Sequence, residues 1–172
     1  PMKTIIRHGL SAAIITLMAQ TAFAQETNRV VANTDWSGFV GASPKECWAV
    51  SAPKETVNTK DGKAVAVRRG DIRLFVTFRP GKPGEVSFMG GYPFAPGSTV
   101  DMNIGGKSFT LFTDGEGAWA GSPEEDAKII AALKAGSDAT LSGGSSRGTK
   151  TKDKFSLLGF TATIDEAGKQ CK

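Results

Sequence analysis

Apolar and polar residues alternate through the middle of the chain, from Gly70 to Trp119, and clusters of proline and glycine interrupt the alternation at short intervals. A period of two is typical of strands with one buried face, so this stretch predicts successive antiparallel strands. The clearest hairpin joins 100–104 to 107–112 through Gly105-Gly106, because two glycines can both adopt the positive φ that a type I′ turn requires. The pattern predicts a mainly β protein, an antiparallel β-sandwich or barrel-like sheet.

Further strands are predicted on both sides of this hairpin, at 35–40, 46–50, 63–69, 71–79, 85–89, 138–142 and 153–158. The residues from Lys54 to Gly62 are rich in Lys, Thr and Asn and are expected to form a loop that ends in the turn pair Asp61-Gly62. The residues 90–97 are rich in glycine and proline, so we expect a corner there and no central strand.

One helix is predicted at about 122–135, where the period of the pattern changes. Ser122-Pro123-Glu124-Glu125 resembles a capping box with proline at the first helical position, and acidic residues in the first turn suit the helix dipole. A short C-terminal helix is expected at 161–167. The residues expected to face the core from the first helix are Ala127, Ile130, Ala131 and Leu133.

The N-terminal residues have the features of a secretory signal peptide. Lys3 and Arg7 precede an apolar run from Leu10 to Ala19, and Ala22 and Ala24 supply the small residues of a cleavage site. The run is shorter than the ~20 residues of a membrane span, so no transmembrane segment is expected after cleavage. The predicted organisation is a signal peptide at 1–24, a flexible leader at 25–34 and a single β-rich domain at 35–172.

Cysteine and histidine usage limits the chemistry of the exported chain. Cys47 and Cys171 are the only cysteines, and an isolated pair in an exported protein predicts a disulfide, with two buried thiols as the alternative. The only histidine, His8, lies in the predicted signal peptide. A Ser-His-Asp or Cys-His mechanism and a histidine-based zinc or copper site therefore lack a required residue.

Nucleotide and polyanion binding receive little support from motifs or from net charge. No P-loop or dinucleotide fingerprint is present, and the acidic start of the predicted helix would repel a phosphate. Signal-peptide removal takes away Lys3 and Arg7 and halves the formal net charge of +4. We therefore expect no cofactor, no metal site and no nucleic-acid partner.

Aromatic residues supply the first candidate binding site. Trp36, Trp48, Tyr92 and Trp119 lie at predicted strand starts or corners. One interpretation is that they pack the ends of a sandwich. The functional interpretation is that Tyr92, Phe94 and Trp119 form an exposed platform for a protein partner or a sugar, since Tyr and Trp are enriched in binding hot spots.

Charged residues supply two further candidates. A pair of carboxylates about 5–10 Å apart is sufficient for glycoside hydrolysis, although Asp and Glu at turns are often only solvated. The candidates for such a pair are Asp71, Glu85, Asp114 and Glu116. The basic residues Arg147, Lys150, Lys152 and Lys154 either contact an anionic surface or form a solvated face.

Six short segments follow one another between Trp36 and Lys172: Ser-Pro-Lys-Glu-Cys-Trp, Arg-Pro-Gly, Gly-Tyr-Pro-Phe, Ala-Trp before the capped helix, Ser-Ser-Arg-Gly-Thr and Ser-Leu-Leu-Gly-Phe-Thr. Together with the signal peptide, their order resembles the invasion-associated locus B family of exported bacterial proteins. The resemblance implies a small β-rich exported protein, which in some pathogens is linked to entry into host cells. It implies no agreed enzymatic activity and no catalytic residues.

The sequence therefore predicts an exported, non-enzymatic binding or structural module. We expect it in the periplasm, at the cell surface or secreted, with an envelope or host-surface protein as its partner. The alternative hypothesis is a carboxylate-dependent hydrolase that acts on envelope glycans.

Overall fold

A computed structural model describes residues 27–172, which form one antiparallel sheet of twelve strands and two helices. The predicted signal peptide and residues 25–26 lie outside the described residues. The elements are β1 (Thr27–Asn33), β2 (Trp36–Ala42), β3 (Lys45–Ser51), β4 (Glu55–Lys60), β5 (Lys63–Ala64), β6 (Arg73–Phe78), β7 (Glu85–Met89), β8 (Thr99–Ile104), β9 (Lys107–Asp114), β10 (Gly117–Trp119), α1 (Pro123–Ala135), β11 (Asp138–Gly144), β12 (Lys150–Ser156) and α2 (Phe160–Gln170).

The sheet curls around its own hydrophobic core. Its strand order is β1-β2-β3-β6-β7-β10-β9-β8-β11-β12-β4-β5, and all of its pairings are antiparallel. Phe88 of β7 meets Phe155 of β12 edge to face at 6.1 Å, although β10, β9, β8 and β11 lie between these strands in the sheet order. The concave face therefore encloses the core, and the predicted mainly β, barrel-like fold is confirmed.

Both predicted glycine turns are present. Gly105 and Gly106 have φ of 57° and 82° and join β8 to β9, and Asp61-Gly62, with φ of 51° and 74°, joins β4 to β5. The prediction of a loop before Asp61-Gly62 is wrong, because β4 pairs with β12 along its length. The prediction of a strand at 63–69 is correct for Lys63–Ala64, where β5 pairs with β4, and wrong for residues 65–69.

The prediction of a flexible leader at 25–34 is wrong for residues 27–34, the part of it that the structure describes. Residues 27–33 form the edge strand β1, and a tight turn with Thr34 at φ 49° leads into β2. Asn33 Nδ2 donates to Thr163 Oγ1 of α2 at 3.2 Å. The polar sequence concealed this strand because main-chain pairing with β2 requires no apolar side chains.

Helix α1 begins as the sequence predicts, with Ser122 Oγ accepting a hydrogen bond from the Glu125 N–H at 3.2 Å. Leu133 is buried as predicted, but the rotation differs from the prediction because Ile129 is also buried whereas Ala127 and Ala131 are exposed. The side chain of Asp126 sets this rotation. It is 8% exposed and accepts a hydrogen bond from the backbone N–H of Val86 in β7 at 2.8 Å.

Helix α2 covers the first three strands and is longer than the predicted 161–167. Phe160 packs edge to face on Trp36 with ring centroids 4.8 Å apart, and the Trp36 indole donates to the carbonyl of Ser156 at 2.9 Å. At the end of this helix Cys171 forms a disulfide with Cys47 of β3, which confirms the predicted pairing.

Removal of the disulfide is expected to destabilise the domain strongly. The bond joins residues that lie 124 positions apart in the chain. In the chain-entropy model, loss of a disulfide that closes a loop of this length lowers the free energy of unfolding by about 4–5 kcal/mol. Urea unfolding of Cys47→Ser/Cys171→Ser should show this loss relative to the oxidised protein. Reduced wild type is the matched control and should have the same free energy of unfolding as the double variant. Equal stability of oxidised and reduced wild type would contradict the prediction.

The pH dependence of stability should report on Asp126. Burial is the main cause that raises the pKa of this carboxyl above its ordinary value of 3.8, and the Val86 N–H opposes it. The folded protein then holds the proton more tightly than the unfolded chain, so this group lowers stability as pH rises from 3.8 through the folded pKa. The Asp126→Asn variant retains an acceptor for Val86 and should gain stability relative to wild type across that window. Urea unfolding at several pH values measures this, and a pH-independent difference would contradict it.

Candidate functional site: the cleft at Tyr92

A cleft of about 570 Å³ opens beside Tyr92, at the predicted aromatic site. Its volume lies within the range of about 300–1,000 Å³ that is usual for ligand sites. One wall comes from the connection between β5 and β6, and the other comes from the loop between β11 and β12. The lining residues are Val67, Arg68, Arg69, Tyr92, Pro93, Ser145, Ser146, Arg147, Thr149 and Thr151.

A buried ion pair anchors the floor of the cleft. The guanidinium of Arg69 makes two parallel bonds to Asp153, from Nη1 to Oδ1 at 2.7 Å and from Nη2 to Oδ2 at 2.6 Å. Their side chains are 6% and 0% exposed. Nε and Nη2 also donate to the carbonyl of Gly90, at 3.0 and 2.7 Å, and Nη1 donates to Asn58 Oδ1 at 3.3 Å. Arg69 therefore has a protein partner for each of its nitrogens and serves as an anchor.

Tyr92 lies directly against this anchor. The Cζ atom of Arg69 lies 5.2 Å from the centroid of its ring, and Phe94 meets the ring edge to face at 4.9 Å. The hydroxyl shares a 2.8 Å hydrogen bond with Thr151 Oγ1. Burial raises the pKa of the Tyr92 phenol above its ordinary value of 10.0, so the group stays neutral at physiological pH.

A close backbone approach joins the first wall to the corner that carries Tyr92. The N–H of Gly70 donates to the carbonyl of Gly91 at 2.7 Å. Gly91 has φ of +72°, and a Cβ atom there would lie 2.6 Å from the carbonyl oxygen of Gly70. Glycine at 91 thus satisfies a left-handed backbone and a steric limit together.

The second wall is a compact turn between β11 and β12. The N–H of Ser145 donates to the carbonyl of Thr149 at 2.9 Å, and the N–H of Gly148 donates to the carbonyl of Ser145 at 3.0 Å. The N–H of Thr149 also donates to Ser145 Oγ at 3.3 Å. This turn places Arg147 at the cleft.

Two arginines at the cleft lack a partner in the part of the chain that the structure describes. Within residues 27–172, neither Arg68 nor Arg147 makes a salt bridge or a side-chain hydrogen bond, and both are exposed. No acidic residue lines the cleft, and the nearby charge of Asp153 is already paired. The cleft is therefore positively charged and suited to a negatively charged group.

The structure divides the predicted aromatic platform. Tyr92 lines the cleft, but Phe94 is 4% exposed and belongs to the hydrophobic core. Trp119 lies on the outer face of the sheet, opposite to the buried side chain of Ala118, and is not a lining residue of the cleft. The expectation that the three form one exposed platform is wrong, because the strand at 117–119 turns Trp119 away and the corner turns Phe94 inward.

The four candidate carboxylates do not meet at this cleft. Asp71 lies 3.6 Å from Arg73 at the start of β6, whereas Glu85 lies 3.5 Å from Arg79, just beyond the end of that strand. These carboxylates are separated by most of a strand, on the order of 20 Å, which exceeds the spacing of a glycosidase pair. The other two, Asp114 and Glu116, are exposed residues at the turn between β9 and β10.

The basic run divides between two surfaces. Arg147 lines the cleft, whereas Lys150, Lys152 and Lys154 lie on the outer face of β12, opposite to the buried Asp153. Among the residues that the structure describes, no group of three or more His, Cys, Asp or Glu side chains could hold a metal ion. Neither helix in this part of the chain is both long and apolar enough to cross a membrane.

Sequence analysis missed Arg68, Arg69 and Asp153. The sequence contains a usable signal for Asp153, because every second residue of β12 faces inward and Asp153 lies between the inward-facing Thr151 and Phe155. A carboxylate at an inward position requires a partner, because an unpaired buried charge is very costly. No comparable signal distinguished Arg69 from Arg68, because the two are adjacent and identical in type.

The fold and the cleft define a small, disulfide-closed antiparallel β protein with two covering helices and a basic cleft at one end. The sequence profile of the invasion associated locus B (IalB) protein family matches residues 40–168, and the chain belongs to this family. The crystal structure of invasion associated protein b from Bartonella henselae has a similar fold, with a TM-score of 0.55 and 15% identity. The similarity covers 80% of this chain and 94% of that one. A search of curated proteins found no match.

Replacement of Asp153 is expected to expose the energetic role of the ion pair. Asp153→Asn leaves the buried Arg69 charge without its counter-charge, and breaking such a pair costs about 3–5 kcal/mol of unfolding free energy. Glu46→Gln is the matched control, since its bond to Arg79 at 2.6 Å lies in a partly exposed pair, and such a change costs about 0–1 kcal/mol. Equal losses for both variants in urea unfolding would contradict the assigned role.

Proposed function

We propose that this chain is an exported, non-enzymatic binding module that engages an envelope or host-surface protein through the cleft at Tyr92. The observation that carries the proposal is a pair of arginines, Arg68 and Arg147, that have no partner among residues 27–172 and lie on opposite walls of a preformed cleft. The first wall is held by hydrogen bonds to the corner at Gly90 and Gly91, and the second wall is held by hydrogen bonds within its own turn. A binding site of this kind requires little reordering when a partner arrives.

Export is supported by two features of the chain. The disulfide between Cys47 and Cys171 fits an oxidising compartment, because such bonds are rare in the reducing cytosol. Membership of the invasion associated locus B family agrees with the signal-peptide pattern at 1–24. We infer that the mature chain acts in the periplasm, at the cell surface or after secretion.

A binding role is favoured over hydrolysis by the distribution of charge. None of the four candidate carboxylates lines the cleft, and the acidic group nearest to its floor, Asp153, is held in a bidentate pair. A glycosidase would place a pair of carboxyl groups about the bound sugar. The cleft instead presents guanidinium groups, which bind anions without transferring protons.

The proposal predicts that the cleft variant Arg68→Ala/Arg147→Ala binds its target surface about tenfold more weakly or worse, because hydrogen bonds to charged groups each contribute about 1.5–3 kcal/mol. The measurement is a saturation isotherm of fluorescently labelled, oxidised protein on bacterial envelopes and on animal cells. Prior digestion of the target surface with a protease should remove the binding, since the proposed partner is a protein.

The matched control is Arg29→Ala, which removes another exposed arginine that has no salt bridge among the described residues but lies on the edge strand β1. It should bind as wild type does. Thermal unfolding must show that all variants fold equally well. Undiminished binding by the cleft variant, or release of reducing sugar ends from envelope glycans by the wild type, would contradict the proposal.

A further inference from the structure

The connection between β5 and β6 has an unusual combination of anchoring and exposure. It runs from Val65 to Ile72 without a turn or bend. Its ends are fixed, since the N–H of Val65 donates to the carbonyl of Asn58 at 3.0 Å and the N–H of Gly70 donates to that of Gly91 at 2.7 Å. We call residues 65–70 the wall segment, because it forms the first wall of the cleft.

Between these fixed ends the backbone has no partner. Ala66, Val67 and Arg68 make no backbone hydrogen bond within the described residues, and all three are exposed. The strand ladder stops at Ala64, which pairs with Thr59. An extended, fixed and unpaired backbone is a template on which another chain can add as a strand.

The side chains at the wall segment specify the charge of the added chain. Arg68 belongs to this wall and Arg147 to the opposite one, and no acidic side chain lines the space between them. Guanidinium groups bind carboxylates in a bidentate manner, which favours a carboxylate-bearing ligand. In an extended peptide, side chains on one face recur every second residue, about 7 Å apart, so one strand can present several carboxylates to the cleft.

The arrangement around Tyr92 argues against a sugar as the primary ligand. Sugar sites commonly use a free aromatic face, but the guanidinium of Arg69 lies 5.2 Å from the ring centroid on one side. Phe94 packs against the same ring with centroids 4.9 Å apart, and the hydroxyl is already bonded to Thr151. A simple anion could accept hydrogen bonds from the unpaired N–H groups of the wall segment but not from its carbonyls, whereas an added strand can pair with both.

We propose that the cleft binds an extended acidic peptide segment of a partner protein, which pairs with the wall segment as an added strand and directs carboxylates to Arg68 and Arg147. This inference rests on the proposed function and specifies the chemistry of its partner. Main-chain hydrogen bonds would supply affinity, and the two arginines would select acidic sequences.

The test uses capped octapeptides in which glutamate alternates with a mixture of Val, Thr and Ser. Fluorescence anisotropy measures their binding to the oxidised protein. Matched pools replace glutamate with glutamine, or replace the intervening residues with proline, so that charge and backbone hydrogen bonding are removed separately. A heparin octasaccharide tests a sulfated glycan as the ligand.

The glutamate pool should bind, and both matched pools should bind more weakly. Arg68→Ala/Arg147→Ala should lower its affinity about tenfold or more, whereas Arg29→Ala should leave it unchanged. Val67→Pro removes one backbone donor from the wall segment and should weaken binding by about two- to tenfold, the cost of one neutral hydrogen bond. Val67→Ala loses the same cleft side chain but keeps the backbone donor, so it should bind more tightly than Val67→Pro.

Amide hydrogen exchange measures backbone hydrogen bonding, which attraction between charges alone would not change. Bound peptide should slow exchange at residues 66–68, and it should leave the exposed loop at Gly81 unchanged. The inference is overturned if the glutamate and glutamine pools bind equally, if the cleft variant binds the glutamate pool as wild type does, or if those amides gain no protection.

Two further results separate this inference from the proposed function. Binding of the octasaccharide but not of the peptides, with dependence on Arg68 and Arg147, would overturn the peptide inference and retain the cleft as a binding site. Peptide binding at the cleft without any effect of the cleft variant on envelope or cell binding would overturn the proposed function instead.

Discussion

The buried pair of Arg69 and Asp153 is the interaction on which the cleft depends. Two desolvated charges stabilise a fold only when geometry and further hydrogen bonds offset the cost of removing them from water. Here the guanidinium also bonds Gly90 and Asn58, so one side chain joins β4, β12 and the corner after β7. The same bonds fix the wall segment at the cleft through the Arg69 side chain.

The two ends of the sheet are stabilised by different chemistry. Strand β6 begins at Arg73, beside the wall segment, and ends at Phe78, which packs against the Cys47–Cys171 disulfide and α2. The covalent end is covered by α2 and by apolar side chains, and it borders an open groove of about 720 Å³ between the loop after β6 and the two helices. The end held by the ion pair instead carries the cleft that Arg68 and Arg147 line.

Sequence patterns were sufficient for most of the fold. Alternation and paired glycines predicted the hairpin at Gly105-Gly106, and a capping box predicted the start of α1, because these are local signals. The disulfide followed from composition, since the chain has a single pair of cysteines. Patterns failed where a non-local partner decides the structure. Residues 55–60 form a strand because β12 supplies their hydrogen bonds, and α1 is rotated by the contact between Asp126 and the Val86 N–H. The candidate site was predicted only in part. Tyr92 is recognisable in the sequence as an aromatic residue at a corner, whereas the burial and pairing of Arg69 depend on Asp153, which lies far along the chain.

The distribution of charge matters more to this protein than its total. Arg69 is neutralised by Asp153, so the field in the cleft comes from Arg68 and Arg147, whose charges face no carboxylate. Lys150 and Lys152 are exposed on the outer face of the neighbouring strand β12 and add positive potential around the same end of the sheet. Exposed charges of this kind accelerate the encounter with an acidic partner and are screened by salt, whereas buried bonds determine how long the complex lasts. Increasing salt should therefore slow the association of the proposed acidic peptide, which depends on the exposed lysines and arginines. It should hasten dissociation less, because backbone hydrogen bonds would hold the added strand.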